Sequence, residues 1–278
     1  MNKPLVDKIA LITGASRGLG AQIAQRLARD GAHVLLVGRD RKALKSVEAG
    51  IRAEHSGQKV KSFPVDLASR LRVDRLIERI AKDVGTIDIL VNNAAIQGPI
   101  GSFDRQDWLK WKSVIDVNLM APARLAQLVI PQMRAKGWGK IINVAGGGAT
   151  SARPDFSAYA ASKCALVRLT ETLAEELRSA GIDVNAVAPG AMNTRMLEEV
   201  LAAGPSGASH EYEAAVKRSR EGGESPDRAA ALVAWLASPA SDGISGKLIS
   251  AIWDDWQTLG QRKLELADSE LYTLRRVV

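Results

Sequence analysis

Thr13-Gly14-Ala15-Ser16-Arg17-Gly18-Leu19-Gly20 is the stretch on which the reading of this chain turns. It follows a short aliphatic run, residues 9–13, and opens a segment with helical spacing, residues 18–30. Glycines permit a tight turn and let the backbone come close to a phosphate. A helix behind them offers free N–H groups and the positive end of its dipole. The spacing is G-x-x-x-G-x-G, and between a strand and a helix it points to the phosphates of a dinucleotide. Gly14, Ser16, Arg17, Gly18, Leu19 and Gly20 are the candidate phosphate-binding residues. Gly14-Ala15-Ser16-Arg17-Gly18 also satisfies the G-x-S-x-G elbow of a hydrolase nucleophile. That chemistry needs a later histidine, and of His33, His55 and His210 only His210 is placed for it, in a segment that reads as irregular.

Outward from the loop, short apolar runs alternate with helical segments. The spacing predicts strands at 9–13, 33–37, 60–65, 87–91, 140–145, 183–187 and 248–252. It predicts helices at 18–30, 41–55, 69–84, 104–136, 156–180 and 226–237. Near-continuous apolar strands alternating with helices imply an α/β fold, a doubly wound parallel β-sheet flanked by helices on both faces. No linker and no internal repeat interrupts it, so a single domain is expected over 1–252. Residues 191–223, rich in Gly, Ala, Ser and Glu, break the rhythm and read as a long loop that serves as a lid over bound substrate. Residues 253–278 read as an extension packed on the domain or on a neighbouring subunit.

Composition excludes several classes. Of 278 residues, 46% are hydrophobic and 25% charged, which suits a globular protein with a sizeable core. A single cysteine, Cys164, makes no internal disulfide, and with only three scattered histidines no metal centre is expected. The net charge of +7 is spread over helix surfaces without basic blocks interleaved with aromatics, so no nucleic-acid partner is expected. The N-terminus lacks the apolar core of a signal peptide, and no run of about 18 apolar residues is seen. The expectation is a cytoplasmic protein with no membrane contact.

Two further features carry chemistry. The second strand ends in Gly38-Arg39-Asp40 instead of an acidic residue suited to a ribose 2′-hydroxyl. A guanidinium there suits a 2′-phosphate, and Arg17 would face the same group. Two cations favour NADP (NADPH) over NAD. Asp40 weighs the other way unless it caps the next helix. Tyr159 and Lys163 lie at i and i+4, on one helix face. An ammonium near a phenol favours the phenolate, so the pair is suited to exchange a proton with a carbonyl or hydroxyl oxygen.

Taken in order, the glycine loop, Asp66, Asn92-Asn93-Ala94, Asn118, Tyr159 and Lys163, and Pro189-Gly190 resemble the short-chain dehydrogenase/reductase family over nearly the whole length, to about Ile252. The resemblance implies a single-domain Rossmann fold and hydride exchange between a nicotinamide and a ketone or secondary alcohol. It implies Tyr159 as general acid/base, Lys163 on the nicotinamide ribose and depressing the tyrosine pKa, and Asn118 positioning a water of a proton relay. It places Asp66, with Leu67 beside it, at the adenine, and Asn92 and Ala94 at the fourth strand. Pro189, Gly190 and Thr194 border the nicotinamide.

The family usually has a serine about thirteen residues before the tyrosine, and here Gly146 stands in its place. Thr150 is the first candidate to replace the missing hydroxyl. The backbone N–H groups of Gly146, Gly147 and Gly148 are the second. Arg153 is either an anchor for an anionic substrate or simply solvent-exposed. Excess apolar surface on the two longest helices, together with the resemblance, implies a homotetramer. The alternative to an enzyme is an NADP(H)-binding sensor or scaffold with little turnover.

Overall fold

The computed structural model describes residues 3–267 and 269–276. Seven strands form one sheet: β1 (Ile9–Thr13), β2 (His33–Gly38), β3 (Val60–Pro64), β4 (Ile89–Asn92), β5 (Gly139–Val144), β6 (Ile182–Ala188) and β7 (Leu248–Ser250). Their order is β3-β2-β1-β4-β5-β6-β7, and every pairing is parallel. The expected doubly wound sheet is therefore present. Consecutive residues of a strand point to opposite faces, and both faces are covered. Ala10 and Ile12 of β1 pack with Val34 and Leu36 of β2 into one core. Leu11, Leu35 and Val37 belong to the other.

The first core is closed by α1 (Gly18–Arg29), α2 (Arg41–Glu54) and α9 (Pro226–Leu236), through residues such as Ile23, Ile51 and Val233. The second is closed by α3 (Arg70–Asp83), α5 (Ala121–Lys136) and α6 (Ser157–Leu177), through residues such as Ile77, Val129 and Leu177. Each fully buried Leu, Ile or Val contributes about 1.5–3 kcal/mol relative to exposure, so burial of both faces favours this sheet over any half-covered arrangement.

Three expectations change. The predicted helix over 104–136 is composite: a 3₁₀ turn at Phe103–Arg105, α4 (Trp108–Ile115), a π turn at Asp116–Met120, and then α5. The run Trp108–Lys136 has the length and hydropathy of a membrane span, which the sequence reading did not find. Its Leu125, Val129 and Met133 are fully buried against the sheet, as in the core helix of a folded domain. The segment 191–223 is not a loop but largely helical: α7 (Arg195–Gly207), kinked at Gly204, and α8 (Tyr212–Glu221). Apolar residues such as Leu197, Val200 and Ala215 recur at helical spacing, and they bury against Phe156 and Tyr159.

The C-terminal segment folds onto its own chain. It begins with a 3₁₀ stretch, Trp256–Arg262, followed by α10 (Lys263–Ala267). Trp256 packs beside Trp235 of α9, with ring centroids 6.0 Å apart. The edge strand β7 is covered where Leu248 N donates to Tyr272 O at 2.7 Å. Leu274 N donates to Glu171 of α6 at 2.6 Å. Trp253, in contrast, is 87% exposed.

Candidate active site

Because β1 pairs with β2 on one side and β4 on the other, the winding reverses at β1 and a crevice opens beyond the C-terminal ends of these strands. The glycine loop lies there. Gly14 has φ +67°, the left-handed region, and a Cβ on it would meet Ala94 Cα at 2.9 Å. At Gly20 a Cβ would lie 2.3 Å from Gly14 O, so the first turn of α1 rests directly on the loop backbone. Thr13 Oγ1 accepts from Asn93 N and Ala94 N, each at 3.0 Å, and Asn93 Nδ2 donates to Thr13 O at 2.9 Å. These bonds clamp the loop to the end of β4. Arg17 begins α1 in extended conformation and provides no side-chain cap, so the first-turn N–H groups face the cleft with the helix dipole behind them. A loop packed this tightly, with a helix N-terminus aimed into a crevice, fits a pyrophosphate.

The cleft is lined by Gly14, Ser16, Arg17, Gly18, Leu19 and Gly20, by Arg39 and Asp40, by Asp66 and Leu67, and by Ala94. Tyr159, Lys163, Pro189 and Thr194 line its other end. Asp40 caps α2, accepting from Ala43 N at 3.0 Å. Its carboxylate also reaches Arg17 at 4.0 Å, with both side chains well exposed, a weak pairing that leaves the guanidinium available. Asp66 accepts from Ala68 N at 3.1 Å, so it shapes its turn as well as lining the cleft.

Tyr159 sits in the first turns of α6, buried, with its hydroxyl against the end of β5; a Cβ on Gly146 would lie 2.6 Å from that oxygen. Burial raises the Tyr159 pKa, Arg153 pulls it down and Glu211 pushes it up, and burial dominates. The phenol is therefore held protonated. Lys163 is also buried, and its Nζ donates to Val144 O at 2.7 Å. Burial alone lowers its pKa to about 8. The ammonium lies 5.6 Å from the Tyr159 ring centroid, directed at a strand carbonyl. In the protein by itself the cation that lowers the tyrosine is Arg153, where the sequence reading assigned that effect to Lys163.

Asn118 is fully buried in the π turn Asp116–Met120, a local widening of the helix often found at functional sites. Its Oδ1 accepts from Ile96 N at 2.9 Å, and its Nδ2 donates to Ile96 O at 2.9 Å and Ser162 Oγ at 3.1 Å. It thus pins the segment after β4 to α6. Asn92 lies behind the cleft, not in its wall. Its Nδ2 donates to Asn143 Oδ1 at 2.9 Å, and Asn143 Nδ2 donates to Thr170 Oγ1 at 2.8 Å, joining β4, β5 and α6. Gly190, with φ +90°, turns the chain beside Pro189 and is packed by Ile252. Thr150 is exposed and is not part of the cleft wall.

Arg153 is neither free nor fully exposed. Its guanidinium donates to Glu211 at 2.5 and 2.7 Å and lies 3.9 Å from the Phe156 ring centroid. Arg195 and Met196, at the end of the 191–196 stretch expected to contact substrate, do line the cleft, and so do Asn93 and Glu199, which no sequence expectation placed there. Asn93 was legible in the Asn92-Asn93-Ala94 triplet. Glu199 required knowing that α7 is a helix with one face turned inward. His210 is exposed between α7 and α8, and the hydrolase arrangement has no support from it. Among the described residues no cluster of His, Cys, Asp and Glu is suited to a metal ion.

Residues 8–204 match the family model described as short chain dehydrogenase. The human protein named dehydrogenase/reductase SDR family member 4 is 36% identical over 249 residues, covering 88% of this chain and 86% of that one. Among solved structures, a gluconate 5-dehydrogenase from Burkholderia cenocepacia J2315 in complex with NADP and tartrate superposes with a TM-score of 0.78. It is 31% identical, with 90% of this chain and 95% of that chain covered. An NAD+-bound xylitol dehydrogenase also gives 0.78, at 28% identity, covering 89% and 98%.

Proposed function

The chain belongs to the short-chain dehydrogenase family of oxidoreductases, and on that premise we propose that it is an NADP-dependent enzyme interconverting a ketone and a secondary alcohol. The observation that carries this reading is the joint burial of Tyr159 and Lys163 on α6, at the end of the cleft opposite Arg17 and Arg39. Nicotinamide, when bound, supplies hydride exchange at its C4. The glycine loop and the N-terminus of α1 would hold the pyrophosphate. Arg17 and Arg39 would hold a 2′-phosphate through charge-assisted hydrogen bonds. The relatives include both NADP-bound and NAD-bound proteins, and these two arginines are the reason for preferring NADP. Asp66 and Leu67 would border the adenine, with Asn92 bracing β4 behind the site.

In the reductive direction Tyr159 would give its proton to the substrate oxygen as the carbonyl carbon accepts hydride. A buried, protonated phenol is suited to that donation. Lys163 would bind the nicotinamide ribose, leaving the Val144 carbonyl it now holds, and would stabilise the phenolate left behind. Asn118 would hold the Ile96 segment so that a water can join Lys163 to solvent. Pro189, Gly190 and Thr194 would form the wall beside the nicotinamide. Gly146 stands where the family usually has a serine. The donor that replaces it would come from the following loop, with the backbone beginning at Gly146 favoured over Thr150 because Gly146 lies against the Tyr159 hydroxyl while the Thr150 side chain is exposed outside the cleft.

The expected setting is a cytoplasmic homotetramer, assembled through a groove between α5 and α6. There Met120, Ile130, Leu169 and Leu173 leave apolar surface uncovered. The test is NADPH oxidation, followed by its absorbance, against a panel of ketones that includes the C5 keto form of gluconate. Turnover that disappears in Tyr159→Phe supports the reading. Tight NADPH binding with no turnover across the panel would favour a sensor or scaffold instead, and no nucleotide binding would refute both.

A further inference from the structure

The loop before α6 and the lid meet outside the cofactor cleft, and their contact is built from charge. Arg153 donates from Nε and Nη2 to the two carboxylate oxygens of Glu211. The two side chains are only 16% and 28% exposed. The guanidinium is stacked on Phe156 and lies 5.1 Å from the Tyr159 ring centroid. Two residues further on, Asp155 accepts a hydrogen bond from Ser209 Oγ at 2.8 Å while holding φ +68°. A residue other than glycine stays in that region only where its surroundings enforce it. Phe156 itself is buried among lid residues, Ala208 and Ala215 among them.

We propose that Arg153 is a positioning residue: paired with Glu211, it latches the lid onto the N-terminal end of α6, so that lid docking and the placement of Tyr159 are one event. The inference rests on the oxidoreductase reading given above. A bidentate guanidinium–carboxylate pair has essentially one planar geometry, and the stack on Phe156 sets the orientation of that plane. Tyr159 follows Phe156, the N-cap residue of α6, by three residues. On the lid side, the chain runs from Glu211 back through α7 to Met196 and Glu199, which line the cleft. Loss of the latch therefore loosens the wall over the cofactor and the seat of the phenol together. It does so without removing any group that touches the reacting atoms.

The test uses the full-length protein with Arg153→Glu, Glu211→Arg and the reversed pair of both. NADPH release is followed by stopped-flow fluorescence, and KM and kcat are measured on the ketone that the panel identifies. Deuterium exchange across 195–221 is read without cofactor. Each single variant is expected to speed NADPH release on the order of tenfold, to raise KM more than it lowers kcat, and to expose the lid to exchange. The reversed pair is expected to return all three close to wild type. If a reversal fails to fold, Arg153→Gln takes its place with the same expected loss. Wild-type release and exchange in the single variants, or a double variant no better than either single, overturns the latch. So does saturable inhibition by tartrate appearing in Glu211→Gln, which would make Arg153 a carboxylate anchor. The exchange measurement is answered even if the wild-type protein binds no NADPH, an outcome that would refute the oxidoreductase reading and not the latch.

Discussion

Replacing Lys163 by methionine tests the electrostatics of the site without any substrate. Lys163 is buried, with its Nζ bonded to Val144 O, and its pKa falls from 10.5 to about 8. Below pH 8 the folded chain holds a buried ammonium at a cost. Between 8 and 10.5 the unfolded chain still binds the proton that the folded chain has released, so stability rises with pH in that window. At 1.36 kcal/mol per pH unit the rise amounts to about 3 kcal/mol. Tyr159, held above its ordinary value by burial, acts with the opposite sign. Its folded form keeps a proton that the unfolded form loses, so its contribution makes stability fall above about pH 10. Lys247, also lowered by partial burial, contributes equally to both proteins and cancels in their difference. The assay is urea unfolding of the cofactor-free protein at intervals from pH 7 to 10. Lys163→Met should lack about 2–3 kcal/mol of gain across that range, which stops short of the upper end of the window. An unpaired Val144 carbonyl adds a pH-independent loss of about 1–3 kcal/mol. Parallel stability profiles for the two proteins would refute the claim that burial controls this lysine.

Three further outcomes follow from the geometry. Gly146→Ala and Gly146→Ser both place a Cβ 2.6 Å from the Tyr159 hydroxyl, and displacing that oxygen by nearly an ångström should lower kcat about a hundredfold while leaving NADPH affinity intact; a more active serine variant, read in the same ketone assay, would show that the phenol is not seated against β5. Arg17→Ala and Arg39→Ala should each weaken NADPH binding about 10- to 100-fold, as expected for loss of one charge-assisted bond, with NADH binding unchanged in fluorescence titrations. Thr150→Val should leave kcat within about twofold, since the side chain is exposed outside the cleft; a tenfold loss would return the donor role to that hydroxyl.

Sequence alone determined the strand–helix alternation, the parallel sheet and the glycine loop between β1 and α1. Apolar periodicity and glycine spacing record the local contacts of each element directly, and strands apolar on both faces that alternate with helices are compatible only with a covered parallel sheet. β1 falls on residues 9–13 as predicted, and Tyr159 and Lys163 share a helix face because four residues make one turn. Tertiary structure decided the rest. The 191–223 segment is largely helical because its weakly patterned apolar residues find Phe156 and Tyr159 to pack against, partners that lie far away in sequence. Arg153 read as a solvent-facing cation or an anion anchor until folding brought Glu211 across a separation of 58 residues. The direction in which Tyr159 is shifted was also invisible, because the reading paired it with the nearest lysine. Burial, with Arg153 and Glu211 acting against each other, sets the proton's preference, and that environment exists only once the sheet, α6 and residues 195–221 have closed around the phenol.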